Sequence, residues 1–268
     1  MKGGENKMLH LINGKVLLSG ATILAAAALV IGATFAFFSD SEISEDNTFI
    51  AGSVDLKVDD TASYLGQPVS GSTWNETDLT NEKFFNFNDI KPGDYGENTI
   101  SLHVVDNDAW VCATINNMED EENTFLQTEL DTQNDDGVAS GELAENLNFF
   151  AWADDGDNVW ESGEFPLFSN TIGPASDVLD GVIYSLADST TDGGPFIESQ
   201  TKFIGLAWCA GTLTNPGNEL GNMTGNTGLN CDGSSLGNEA QTDSVTADIT
   251  FTAVQHRNNP DFSCQSLD

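Results

Sequence analysis

The feature that most constrains the fold is an alternation of apolar and polar residues late in the chain. Residues 245–253 read VTADITFTA, with an apolar residue at every second position. This period of two is typical of a β-strand with one face in the core and one in water. Similar rows occupy residues 48–58 and 100–104. Shorter strand candidates lie at residues 110–115, 147–152, 182–186 and 203–209.

Turn residues separate these strands. Clusters of Gly, Pro, Asn and Asp stand at residues 91–94, 106–108, 192–195 and 215–217, and such clusters mark turns. Seven or more short strands predict an all-β fold, a jelly-roll-like β-sandwich. Helix patterns are confined to residues 119–130 and 142–147, so we expect only short helices in the loops between strands.

The N-terminus has the pattern of an export signal. Lys2, Lys7 and Lys15 precede an apolar run from Val16 to Phe38. A basic start, an apolar centre and small residues at the end predict a signal peptide over residues 1–36, cleaved before Phe37. The alternative is an uncleaved membrane anchor, because the run is long enough to span a bilayer. After cleavage, residues 37–47 form an extended segment and residues 48–268 form the sandwich domain.

The charge balance excludes one class of partner. Asp and Glu outnumber Lys and Arg 43 to 8, for a net charge of −35. Binding to phosphates needs clustered basic residues, so nucleic acid is not expected as a partner. Hydrophobic residues make up 39% of the chain, which is enough to build a core despite the charge. An acidic excess also keeps a secreted protein soluble and is favoured in salt-rich habitats.

Four cysteines follow the predicted signal: Cys112, Cys209, Cys231 and Cys264. An even number in an exported chain predicts two disulfides, with three possible connectivities. Cys209 and Cys231 flank a segment rich in Gly, Asn and Thr, which favours the pairs Cys209–Cys231 and Cys112–Cys264. The competing interpretation is a metal site, although the chain has no C-x-x-C pair.

Two stretches near the start resemble a known family. Residues 32–40 read GATFAFFSD, and residues 47–56 read NTFIAGSVDL. These stretches, together with the turn DIKPGD at residues 89–94 and the late strand at 245–255, resemble the TasA/camelysin family. The paired cysteines and the Asp-rich insertions depart from that family's fibre-forming members.

The resemblance implies a secreted jelly-roll subunit of an extracellular filament or biofilm matrix. In such fibres the segment freed by signal cleavage pairs with the next subunit, so the expected partners are other copies of the chain, and possible further partners are matrix or cell-surface components. An extended segment adds to a sheet edge through backbone hydrogen bonds. Phe37, Phe38 and Ile43 are the candidate apolar anchors of this donor strand. The alternatives are a free tail or a segment packed on its own subunit.

The acidic loops suggest calcium as the one candidate cofactor. Residues 154–164 read DDGDNVWESGE, and calcium is bound by several carboxylate oxygens on a flexible loop. The spacing is not that of an EF-hand, and an exposed, solvated turn is the alternative. A second acidic run occupies residues 131–142. The candidate calcium ligands are Asp154, Asp155, Asp157, Glu161 and Glu164.

Two other functions, a metalloprotease and a binding module, and one modification, N-glycosylation, are also considered from the sequence. Camelysin-type relatives are described as metalloproteases, but the chain has no H-E-x-x-H motif, and only His103 and His256 follow the signal. We therefore do not expect an enzyme. A calcium-stabilised adhesion or carbohydrate-binding module is the other rival, with sugars stacked on exposed tryptophans. Asn75 and Asn222 lie in N-x-T glycosylation sequons.

Overall fold

Two antiparallel sheets make up most of the part of the chain that can be described. The computed structural model describes residues 39–43, 54–132, 140–161, 163–168, 172–215 and 228–267, all within one unit, Phe38–Asp268. The predicted signal peptide, Phe37, Phe38 and Asn222 lie outside these residues. The strands are β1 (Ser39–Ile43), β2 (Asp55–Tyr64), β3 (Gln67–Pro68), β4 (Trp74–Thr77), β5 (Tyr95–Val105), β6 (Ala109–Glu121), β7 (Leu147–Asp154), β8 (Phe165–Pro166), β9 (Gly173–Pro174), β10 (Val182–Ala187), β11 (Thr201–Ala210), β12 (Thr212–Thr214), β13 (Asn230–Asp232) and β14 (Ser244–Gln255).

The strand order defines a sandwich. The smaller sheet has the order β1-β14-β6-β10, and the larger has the order β3-β2-β5-β11-β7-β8, with β4 added to β2 and β9 to β7. A two-stranded ribbon joins β12 and β13. The all-β prediction is confirmed. The strands predicted at residues 100–104, 110–115, 147–152, 182–186, 203–209 and 245–253 are present, and β2 covers residues 55–58 of the row 48–58, whose residues 48–53 lie outside the described part of the chain. The main core draws on both sheets and includes Leu56, Val58, Leu102, Val104, Val111, Phe251 and Ala253.

The helices are shorter than the sequence suggests. They are α1 (Gln127–Leu130), α2 (Leu143–Asn146) and α3 (Ala175–Val178), with 3-10 turns at Ser70–Ser72, Gly233–Ser235, Asn238–Ala240 and Cys264–Leu267. The predicted helical stretch 119–130 is wrong at its start, because residues 119–121 continue β6 and pair with β14. No described helix has the length and apolar character needed to cross a membrane.

The alternation of β14 holds for only part of the strand. Residues 251–255 are all buried, including Thr252 and Val254 on the face expected to be wet. Thr252 pairs across the sheet with Cys112, and cross-strand neighbours share a face. Cys112 is bonded to Cys264. The C-terminal segment therefore lies over this face, so the water-facing prediction is wrong there.

Both disulfides pair the cysteines that the sequence favours. Cys112–Cys264 closes 152 residues of chain, and Cys209–Cys231 closes 22. Because the entropy removed from the unfolded chain grows with loop length, the first bridge is expected to stabilise the fold more. The second bridge belongs to a smaller core on the outer face of the larger sheet, with Phe150, Trp152 and Leu213.

Candidate functional site at the edge of β14

One edge of β14 is shared between a short strand and a groove. Along its other edge β14 pairs with β6 over its whole length, from Ser244 to Gln255. On the opposite edge, which is the candidate site, β1 pairs antiparallel with β14. The register runs from Ser39 opposite Val254 to Ile43 opposite Thr250. β1 therefore covers the second half of β14 and leaves Ser244–Ile249 without a partner in β1.

The segment on this edge belongs to the predicted donor strand. Residues 39–43 fall within the 37–47 segment and lie against β14 of their own chain. That placement is the alternative in which the segment packs on its own subunit. Ile43 is the one candidate anchor among the described residues, at the end of β1, and Phe37 and Phe38 lie outside them. The edge that β1 occupies is the kind of surface to which an extended segment adds.

A groove of about 880 Å³ continues from the end of β1. It runs between the first half of β14 and the segment of residues 81–90, which forms neither helix nor strand. Four asparagines also line the groove, so it offers hydrogen-bonding groups as well as apolar ones. They are Asn81, Asn86, Asn88 and Asn117. The apolar lining includes Phe84, Phe85, Phe87, Ile90, Val245 and Ile249.

Aromatic contacts fix the 81–90 segment to the sandwich. The ring centroid of Phe84 lies 5.0 Å from that of Trp74 and 5.9 Å from that of Phe251. Phe87 lies 5.0 Å from Trp208. Such pairs bury large areas and hold preferred geometries. The wall of the groove is thus anchored without regular secondary structure.

A buried polar pair lies beneath this wall. The side-chain amide of Asn98 donates to the Phe84 carbonyl at 3.0 Å and to Asp60 Oδ2 at 2.7 Å. Asp60 and Asn98 are both fully buried, and Asp60 Oδ1 has no hydrogen-bond partner. Burial raises the pKa of Asp60 to about 8, against the hydrogen bond from Asn98, which lowers it. A neutral Asp60 is the form that this environment favours at neutral pH.

The acidic loop, residues 154–164, is held by its own hydrogen bonds. Asp154 accepts from the indole N–H of Trp152 at 2.9 Å and from the backbone of Gly156 and Asn158 at 2.8 and 3.1 Å. Glu164 accepts from the backbone of Asp155 at 3.2 Å and of Glu161 at 2.8 Å. Burial and the charges of Asp154 and Asp155 raise the pKa of Glu164 to about 7, although its two backbone hydrogen bonds oppose this shift.

The structure brings together part of the predicted calcium set. Carboxylate oxygens of Asp154, Asp155 and Asp157 lie within 4.8 Å of one another. Asp154 already accepts on both oxygens, and Glu164 on both of its own. Asp155 and Asp157 are exposed. Calcium at this loop stays a prediction.

The two histidines are engaged in separate places. His103 on β5 lies with Nε2 at 2.5 Å from Asp59 Oδ2 and with Nδ1 at 3.1 Å from the Thr201 hydroxyl. His256 follows β14 and packs edge-on against Trp110, at 4.7 Å between ring centroids. In the described parts of the chain, each group of three or more converging metal ligands consists of carboxylates. These parts bring together no histidine-based zinc site.

The remaining candidate residues divide by burial. Trp152 and Trp208 are almost fully buried and cannot stack on a sugar. Trp160 packs against Phe150 and Trp152. Asn75 is exposed on β4, where a glycan would have room.

Sequence reasoning missed the groove wall. Residues 81–90 read NEKFFNFNDI, with neither strand alternation nor helical spacing. The sequence did offer one indication, the three phenylalanines that stand among asparagines in this stretch. Several aromatic residues in an otherwise polar segment indicate a loop whose side chains pack into the core. β14 was found as a strand, but its role as a shared edge depends on the sheet order, which the sequence does not give.

Comparison with known families adds one match. Residues 12–65 match the model of the camelysin metallo-endopeptidase family. The match spans the apolar N-terminal run, β1 and β2, and it confirms the resemblance to the TasA/camelysin family. No curated protein matches the chain.

Proposed function

We propose that the chain is an exported structural subunit of an extracellular filament or matrix, polymerising when residues 37–47 of one copy add to the β14 edge of the next. One observation carries this proposal: β1 lies on the β14 edge, and the same edge continues past Ile43 into a groove lined by both apolar and polar side chains. The N-terminal family match supports export.

Strand exchange requires no new kind of contact. Whether β1 comes from its own chain or from a neighbour, the same antiparallel hydrogen bonds form with residues 250–254 of β14. The difference in free energy between the two states therefore depends on the connection to residue 54 and on side chains placed in the groove. A neighbour's segment is free to extend further along the edge, toward Ser244, and to enter the groove.

The charge of the chain favours such a joint over a broad interface. With a net charge of −35, two surfaces pressed together would repel strongly. A strand joint relies on backbone hydrogen bonds, which carry no net charge. It is also narrow, so residues 37–47 bring only four acids to the partner. Polymerisation is therefore expected to accelerate when added salt screens the repulsion between subunits.

Deleting residues 37–47 tests the proposal directly. The deleted chain should remain folded but form no filaments by electron microscopy, because the sandwich keeps its core and loses its donor. A synthetic peptide of residues 37–47 should bind the deleted chain and cap its edge. Filaments formed by the deleted chain would contradict the proposal.

Cross-linking distinguishes exchange from self-docking. Ile43 and Thr250 are opposite each other in the register, so the double variant Ile43→Cys, Thr250→Cys should form a disulfide there. In assembled material we expect a ladder of covalent multimers on non-reducing gels, and each single variant serves as control. Only intramolecular disulfides in assembled material would overturn strand exchange.

The family description gives a second candidate function, since it names a metallo-endopeptidase. Casein hydrolysis by the purified protein with and without added Zn²⁺ tests it. Zinc-dependent cleavage that a His103→Ala variant loses would establish a peptidase and assign His103 to its site.

A further inference from the structure

Five carboxylates from separate parts of the chain converge beside the first residue of β14. We define the carboxylate cluster as Asp120, Glu122, Glu129, Glu142 and Asp243. Asp120 and Glu122 lie at the end of β6, Glu129 in α1, Glu142 just before α2, and Asp243 just before β14. Carboxylate oxygens of Glu122, Glu142 and Asp243 lie within 4.8 Å of one another.

The oxygens that meet there lack hydrogen-bond donors. Asp120 Oδ1, Glu122 Oε2, Glu129 Oε1 and Asp243 Oδ1 are shielded from solvent and have no hydrogen-bond partner. Buried polar atoms are nearly always satisfied, because an orphaned one costs about 1–3 kcal/mol. Four orphaned acceptors in one place therefore indicate a missing positive partner.

Glu129 is the strongest sign of a ligand. Its side chain is fully buried, although acids are almost never fully buried without a partner. Oε2 accepts from the backbone N–H of Leu126, while Oε1 accepts from nothing. Glu129 lies close to Glu122 and Asp243 and so adds a buried carboxylate to the cluster from within the protein.

The fold holds the cluster in place through its other oxygens. Asp243 Oδ2 accepts from the backbone of Glu142 at 2.7 Å and of Leu143 at 3.2 Å, and Glu122 Oε1 accepts from Thr124 at 3.1 Å. At Gly141 a Cβ would stand 2.9 Å from Asp243 Cγ and 3.0 Å from Asp120 Oδ1. The chain therefore passes close to both acids only because residue 141 is glycine.

No basic side chain neutralises the cluster among the described residues. The ion pairs found there involve Lys57, Lys91 and His103, each with acids elsewhere. Like charges held together in a medium of low polarity repel strongly. A cation removes this repulsion and satisfies the orphaned oxygens at the same time.

We propose that the carboxylate cluster is a binding site for one Ca²⁺ ion. Calcium takes six to eight oxygen ligands at about 2.3–2.6 Å, so ligands on opposite sides of one ion lie about 5 Å apart. The 4.8 Å limit among Glu122, Glu142 and Asp243 fits that distance. The three acids that meet within this distance, and the two beside them, are carboxylates without His or Cys, which disfavours zinc. Mg²⁺ usually retains several waters, which suits a shielded cluster less well.

This site is separate from strand exchange. It fastens the end of β6, the approach to α2 and the start of β14 to one point, whether or not β1 changes partner. The proposal therefore stands or falls independently of polymerisation, and its test needs only the monomer.

Thermal unfolding of the purified protein tests the site. The wild type and two acid-to-amide variants, Glu129→Gln and Asp155→Asn, are compared in chelator, in millimolar CaCl₂, and in MgCl₂ or NaCl at the same ionic strength. Asp155→Asn is the matched control, because it removes one charge from the acidic loop. Calcium should raise the Tm of the wild type and of Asp155→Asn by roughly 5 °C or more, and that of Glu129→Gln by much less. Calorimetric titration should give one tight site that Glu129→Gln weakens at least about tenfold.

Each other outcome argues against the site. A calcium response lost in Asp155→Asn and kept in Glu129→Gln would move the ion to the acidic loop. An equal response to NaCl would mean general screening, and no response at all would mean that the acids share protons. Glu129→Gln should fold, since it removes a buried charge and keeps an acceptor for Leu126.

Discussion

Asp188 and the carboxylate cluster show two ways of burying negative charge. Asp188, directly after β10, is fully buried and surrounded by six donors. Glu129 is equally buried, yet one of its oxygens has no donor and the neighbouring side chains are also acids. The donors to Asp188 are the hydroxyls of Ser185, Thr190 and Ser263 and the backbone N–H groups of Thr190, Thr191 and Cys264.

The pKa values of the acids differ between Asp188 and the carboxylate cluster in the same way. Burial raises the pKa of Asp188, but its hydrogen bonds outweigh burial and lower the pKa to about 2. In the cluster, burial raises the pKa of Asp120 to about 6, and the charges of Asp243 and Glu145 add to the shift against one opposing backbone hydrogen bond. Burial alone therefore does not decide the ionisation of an acid. The number of donors matters as well, and an acid that lacks donors is left to bind a proton, as the surroundings of Asp60 favour, or a cation.

The largest effect is expected from Asp188→Ala. Removing the carboxylate leaves six donors without their acceptor, one of them the buried N–H of Cys264. Unfolding should therefore become easier by about 3–5 kcal/mol, measured by urea denaturation at pH 7. Because the folded pKa lies below that of the unfolded chain, the wild type should lose this stability as the pH falls from about 4 toward 2.

Glu129→Ala is the matched change in the carboxylate cluster. In chelator it should cost far less than Asp188→Ala, since it removes a repelling charge as well as the contact to Leu126. Equal losses of unfolding free energy in Asp188→Ala and Glu129→Ala would contradict the distinction between a buried acid surrounded by hydrogen-bond donors and one that lacks them.

The same distinction explains what the sequence could predict. Alternation predicted β2, β5 and β14, shorter apolar rows predicted β6, β7, β10 and β11, and the even cysteine count predicted two disulfides, because these depend on local patterns and on counts. The strands of two to four residues, β3, β4, β8, β9, β12 and β13, carry too few residues for such a pattern. The carboxylate cluster depends on four segments up to 123 residues apart, Asp120 to Asp243, and no local pattern predicts their meeting. The acidic loop was conspicuous because its acids are adjacent, although adjacency does not determine whether the oxygens are already satisfied.

A middle-sized effect is expected within the acidic loop. Asp154→Ala should destabilise the protein by about 2 kcal/mol in chelator, because three N–H groups lose their acceptor. Asp155→Ala, the adjacent exposed acid, should change stability by no more than about 0.5 kcal/mol. Urea denaturation of both variants measures this. Equal effects would show that charge, and not hydrogen bonding, organises the loop.

An effect that is small at acid pH and grows with rising pH is expected at Asp60, a buried acid with one amide donor. Its folded pKa of about 8 lies above the unfolded value, so the folded state binds the extra proton and stability falls as the pH rises from about 4 to 8. Asp60→Asn keeps the acceptor for Asn98 and removes the charge. The variant should match the wild type near pH 5 and exceed it by at least about 1 kcal/mol near pH 9.

Urea denaturation of Asp60→Asn across that pH range separates a charge effect from a packing effect. Asn98 holds the Phe84 carbonyl as well as Asp60, so a packing change would alter stability equally at every pH. Asp188→Asn supplies the opposite case, with its wild-type stability lost toward acid. A difference between Asp60→Asn and the wild type that stays constant with pH would mean that Asp60 is ionised in the core, and one amide donor would then be enough to bury a carboxylate without a cation.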